Sequence, residues 1–84
     1  MPDGPYRYRR EVIEQLWRHG VHPTPQSDPQ MVRSYVRDLY KYEIRRLRER
    51  YLRREFSKSE YYDLVDQLRR QYPVLALLPR EFVE

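Results

Sequence analysis

Phe56-Ser57-Lys58-Ser59-Glu60-Tyr61 carries the densest local signal in the chain. Ser57 can accept a hydrogen bond from the third residue of a following helix, while Glu60 reaches back to the Ser57 N–H, a reciprocal capping box. Phe56 and Tyr61 are spaced to staple across that helix start. The helix so opened continues through Leu64, Val65 and Leu68 to Tyr72, and Pro73 ends it. Upstream, residues 29–53 hold no glycine and no proline after Pro29. Val32, Val36, Leu39, Tyr40, Leu47 and Tyr51 recur there at helical period. At 1.5 Å per residue this second helix spans about 35 Å. The connection between the two is short, so the pattern predicts an antiparallel helical hairpin.

A first helix is predicted over residues 8–19, with Val12, Ile13, Leu16 and Trp17 on one stripe. Gly20 stands where a left-handed residue closes a helix, and Val21 is placed to fold back onto Leu16. His22-Pro23-Thr24-Pro25-Gln26 is a linker, because two prolines two apart favour an extended path. Ser27-Asp28-Pro29-Gln30 then reads as the start of the second helix. Ser27 is the expected cap, Gln30 completes its box, Asp28 faces the positive helix end, and Pro29 occupies the first turn.

The tail from Pro73 contains the most apolar run, Val74-Leu75-Ala76-Leu77-Leu78. Pro73 and Pro79 can each open a short helical turn. A strand would have no second strand to pair with, so the tail is expected to pack over the helices. The alternative is an exposed patch that recruits a partner. The expected fold is therefore all-α: one helical domain over residues 1–84, with three helices, a long central one, and a packed tail over 73–84. Turn residues Pro2-Asp3-Gly4-Pro5 make residues 1–7 a loose arm in this reading.

A chain of 84 residues makes one domain and a small core. Charged residues reach 36%, which suits helices with narrow apolar stripes and wide polar faces. Nine tyrosines argue against disorder, since disordered segments are poor in aromatics. The absence of cysteine removes disulfides and thiolate chemistry. The longest apolar run is far shorter than the roughly 20 residues that span a bilayer. No charged-then-apolar leader precedes it, so the expected location is the cytoplasm and no membrane partner is expected.

Charge is unevenly placed. Residues 29–56 carry a net +5, while residues 1–28 are neutral and residues 57–84 carry −1. Within the central helix, Arg33, Arg37, Lys41 and Arg45 repeat every four residues, with Arg48 alongside. Like charges at this spacing disfavour an isolated helix by roughly 0.2–0.5 kcal/mol per pair. Either acids from Glu11 and Glu14, or from Glu60, Asp63 and Asp66, neutralise the column, or it is solvated, or it meets an anionic partner. Glu43 falls on the apolar side of the same helix and should be paired, with Arg46, Arg50 or a tyrosine hydroxyl.

No catalytic, metal or cofactor site is expected. His19 and His22 lie on opposite sides of the helix end at Gly20, without an evident third ligand. Two glycines cannot build a phosphate-cradling loop, and no serine or threonine stands beside a base in a known motif. Leu39-Tyr40-Lys41, with the downstream arginines and Phe56, resembles the signature of LYR-motif proteins, small basic three-helix accessory proteins of mitochondria. The resemblance implies an adaptor role. Here the triplet lies in the second helix and carries lysine in place of arginine, and no functional residue is carried over. The functional expectation is a non-catalytic accessory protein that binds another protein or itself, without a small-molecule substrate. The alternative is a nucleic-acid-binding module using Arg33, Arg37, Lys41, Arg45 and Arg48.

Overall fold

The computed structural model describes residues 4–84. Helix α1 spans Arg10–Arg18, α2 spans Pro29–Leu52 and α3 spans Lys58–Arg70. Two 3-10 turns follow, Pro73–Ala76 and Pro79–Glu81, each opened by its proline. The chain is all-α, with α2 and α3 packed as an antiparallel hairpin. Among the described residues the only β pairing is an isolated bridge between Tyr8 and Val83.

The helix ends show local chemistry at work. Ser57 accepts from the Glu60 N–H and Glu60 accepts from the Ser57 N–H, both at 3.1 Å, so the capping box is complete. Phe56 and Tyr61 stack across it with centroids 6.3 Å apart. At the end of α1, Gly20 has φ +74°; its N–H bonds to Trp17 and the Val21 N–H to Leu16. These are the two hydrogen bonds that close a helix through a left-handed residue. Helix α2 ends in the same way, but on an arginine. Arg54 has φ +61°, with Arg54 N–H bonded to Tyr51 and Glu55 N–H to Arg50.

Three boundaries differ from the sequence reading. Asp28 rather than Ser27 caps α2, its carboxylate accepting the Gln30 N–H at 2.9 Å. A negative group at the positive helix end is favoured, and Ser27 Oγ is taken by the Thr24 N–H at 2.9 Å. Helix α1 begins at Arg10, because Tyr8 and Arg9 are extended and tied to the tail. Helix α3 stops at Arg70, since Tyr72 precedes a proline and is pushed out of the helical region.

The core lies at one end of the molecule. Val12 and Leu16 of α1, Val36 of α2, and Val74 and Phe82 of the tail are fully buried, with Tyr8 and Tyr72 nearly so. The tail packs on both α1 and α2. Arg33 fastens it there: its Nε donates to the Leu77 carbonyl at 2.7 Å and its Nη2 to the Leu75 carbonyl at 2.8 Å. Of residues 1–7, read from sequence as a loose arm, Tyr6 and Arg7 are hydrogen-bonded in the fold, and residues 1–3 lie outside the described residues. Tyr6 N–H bonds to Pro25, and Glu84 N–H to Arg7. A Cβ on Gly4 would meet the Pro25 carbonyl oxygen at 2.3 Å, so that close approach requires glycine.

The other end is the hairpin alone. The molecule measures 52 × 18 × 16 Å with a radius of gyration of 15.4 Å, against about 12 Å for a compact chain of this length. Its accessible surface is 6650 Å², roughly 1,200 Å² more than a compact monomer of this mass exposes.

Candidate interaction surface

Where α2 and α3 run past the core, their facing residues meet along a narrow seam. Leu47 is the one buried side chain in it, and α3 has none. Leu64, Val65, Leu68 and Ile44 are half-buried, each covered on one side and open on the other. The tip is closed by ring stacking. Tyr51 and Tyr61 lie 4.6 Å apart by centroid, Phe56 stacks beside both, and the Arg50 guanidinium sits 5.3 Å above the Phe56 ring.

The seam opens on two flanks. One is a groove of about 270 Å³ lined by Leu47, Leu64 and Leu68 with Glu43, Arg46 and Arg50. Its charges are partly answered: Arg50 pairs with Glu55 at 3.1 Å and Arg46 lies over the Tyr42 ring. The other is a wider groove of about 420 Å³, with Tyr40, Ile44 and Val65 forming its apolar lining. Lys41, Arg45, Arg48 and Arg69 surround that lining.

The five cations singled out in the sequence separate into two roles. Arg33 is drawn off to hold the tail. Arg37, Lys41, Arg45 and Arg48 remain exposed on α2, and among the described residues none has an acid within ion-pair distance. The acids expected to offset them are occupied or out of reach. Glu14 pairs with Arg10 and Asp66 with Arg70, Glu60 is held in the α3 cap, and Glu11 and Asp63 make no ion pair among the described residues. Asp38 and Glu49, on α2 itself, make none either. Arg69, which no sequence pattern marks, and Val65, expected only on the apolar stripe of the third helix, also line the cationic groove. Their four-residue spacing on α3 was readable, but their alignment with Ile44 depends on how the hairpin closes.

Glu43 does take a tyrosine hydroxyl, one of the partners expected for it. The Tyr72 O–H donates to its carboxylate. Burial first, then the hydrogen bond and charge of Glu43, hold the Tyr72 hydroxyl well above its ordinary pKa. His19 stacks on Tyr72 with centroids 4.0 Å apart and hydrogen-bonds through Nε2 to the Gln71 carbonyl at 2.7 Å. Tyr40 meets the same ring edge-on. His22 lies against Trp17 instead. The Glu43–Tyr72–His19 cluster thus joins α1, α2 and the end of α3, at the junction of core and hairpin.

Among the described residues no helix is long and apolar enough to cross a membrane, and no three His, Asp or Glu side chains converge. Leu39 and Tyr40, which carry the LYR-motif resemblance, are half-buried against the core, and Lys41 beside them points to the cationic groove. Compared with protein families, with curated proteins and with solved structures, the chain finds no match in any of the three.

Proposed function

We propose that this chain is a small, non-catalytic helical accessory protein of the cytoplasm whose α2–α3 hairpin engages another protein or a second copy of itself. One observation carries the reading: the hairpin projects from the core with its apolar seam open on both flanks. The excess surface of roughly 1,200 Å² exceeds the about 800 Å² that one partner contributes to a stable interface. A two-helix hairpin covers only one side of each helix, and partner helices commonly complete such an arrangement. Site-specific photo-crosslinkers at Leu64 and Arg45, compared with one at Arg80 on the tail, test the reading in the cells of origin. A reproducible adduct from the hairpin positions alone supports it. A strict monomer by sedimentation with no hairpin adduct sinks it.

A second reading rests on Arg37, Lys41, Arg45 and Arg48, none of which forms an ion pair among the described residues. A nucleic-acid backbone would supply the missing anions, and affinity would then fall steeply with salt. A mobility shift with DNA or RNA that is absent at low salt eliminates it.

A further inference from the structure

The two flanks of the hairpin differ in a way that selects a ligand chemistry. On the wider flank, Tyr40, Ile44 and Val65 form an apolar floor between Lys41, Arg45 and Arg48 on one side and Arg69 on the other. We propose that this groove receives an acidic amphipathic helix of a partner protein, its apolar stripe on Ile44 and Val65 and its carboxylates against the arginines. The inference rests on the accessory-protein reading above and gives its partner a chemistry.

Three arguments favour this occupant. An apolar floor between cationic rims matches a helix that carries apolar residues on one stripe and acids beside it. A phosphate backbone would satisfy the rims but leave the floor against water. A second copy of this chain would set the same cations against one another, and like charges across an interface are costly. Among the described residues no acid forms an ion pair with the rims. Asp66, next to Val65 on α3, is committed to Arg70 at 2.8 Å, and neither Asp38 nor Glu49 comes within pairing distance of the column.

The test uses the full chain and a synthetic helical peptide of about three heptads, with leucine at the two inward positions of each heptad and glutamate elsewhere. Fluorescence anisotropy is read beside two controls, the same peptide with alanine for leucine and a single-stranded oligonucleotide of equal charge. The expected result is micromolar binding of the leucine peptide, at least about tenfold tighter than either control. Amide shifts should map to Tyr40, Ile44, Val65 and Arg69. The double substitution R45E/R48E, at exposed positions, should weaken binding on the order of tenfold or more while helicity by circular dichroism is unchanged.

Equal binding of the alanine peptide overturns the inference, since the floor then contributes nothing. Tighter binding of the oligonucleotide at the same residues overturns it in favour of nucleic acid. If none of the three binds, the acidic-helix inference fails. The wider reading is then judged by the Leu64 crosslink, which reports on the opposite flank.

Discussion

The core end of the molecule and the hairpin end are built from the same α2 helix but held by different forces. At the core end five side chains are completely buried and a guanidinium closes two carbonyls of the tail. Along the hairpin one leucine is buried, and order comes from a capping box, an aromatic staple and stacked tyrosines at the tip. Burial of a large apolar side chain contributes about 1.5–3 kcal/mol, while a cap contributes about 1 kcal/mol. The first end is made stable by what it hides. The second is shaped by local chemistry and keeps its apolar residues available.

The same leucine-to-alanine change made at each end should expose this difference most clearly. Leu16→Ala opens a cavity in a fully enclosed site and should cost about 3–4 kcal/mol by urea denaturation. Leu64→Ala, open to one flank, should cost about 1 kcal/mol, because solvent and neighbours fill the space. Equal costs would break the comparison. Next in size is Arg33→Met, which leaves the Leu75 and Leu77 carbonyls without their charged donor. A loss of about 2 kcal/mol is expected, whereas Arg37→Met, exposed on the same helix, should change stability by less than about 0.5 kcal/mol.

The two ends should also respond to opposite extremes of pH. Burial, then the charge of Asp28, pushes the Tyr8 hydroxyl from 10.0 up to about 12. A raised pKa means the neutral phenol is favoured in the fold. Its contribution is therefore complete below pH 10 and is lost as pH rises through about 12. Tyr72 is shifted in the same direction at the same end. At the hairpin, hydrogen bonds from Ser57 lower the Glu60 pKa from its ordinary 4.5. That contribution is present above 4.5 and lost as pH falls through the lowered value. The Tyr8 hydroxyl donates to the Ser27 carbonyl at 2.5 Å; alkaline titration should release that bond and loosen the core, and Tyr8→Phe should abolish that component. Acid should fray α3 first, followed by amide exchange at Glu60 and Tyr61, and Glu60→Gln should remove this acid dependence.

A small effect of opposite sign at the two ends concerns the helix stops. Arg54 holds a left-handed conformation that costs a residue with a Cβ about 1 kcal/mol, where Gly20 makes the same turn freely. Arg54→Gly should raise stability by about 0.5–1 kcal/mol, and Gly20→Ala should lower it by about 1 kcal/mol. A thermal melt distinguishes the signs.

What could be read from the sequence was whatever neighbouring residues decide among themselves. The Ser57 box, the Gly20 stop and the turns at Pro73 and Pro79 all stand where their local chemistry places them, as does the hairpin that the short connection enforces. The misreadings come from competition or distance. Ser27 was drawn to Thr24 and lost the cap to Asp28. Arg33 looked like one more member of the cationic column, because nothing in its own helix announces carbonyls more than forty positions away. The grooved flank was half legible: the α2 cations were plain, but the apolar floor exists only once Ile44 and Val65 are brought side by side.

Arg33 and the Tyr8–Val83 bridge bear on the order in which the molecule assembles. The core depends on pairs such as Arg33 with Leu77, 44 positions apart, and Arg9 with Val83, 74 apart. Closing such long loops costs entropy before any burial is gained. The α2–α3 turn joins neighbours in sequence, so its closure carries a much smaller entropic cost. Sequence separation therefore predicts that the hairpin forms before the core, an order that pulsed amide exchange during refolding would check. On that order, a chain still searching for its tail would already set Ile44 beside Val65, and only the Tyr40 end of the cationic groove would wait for the core.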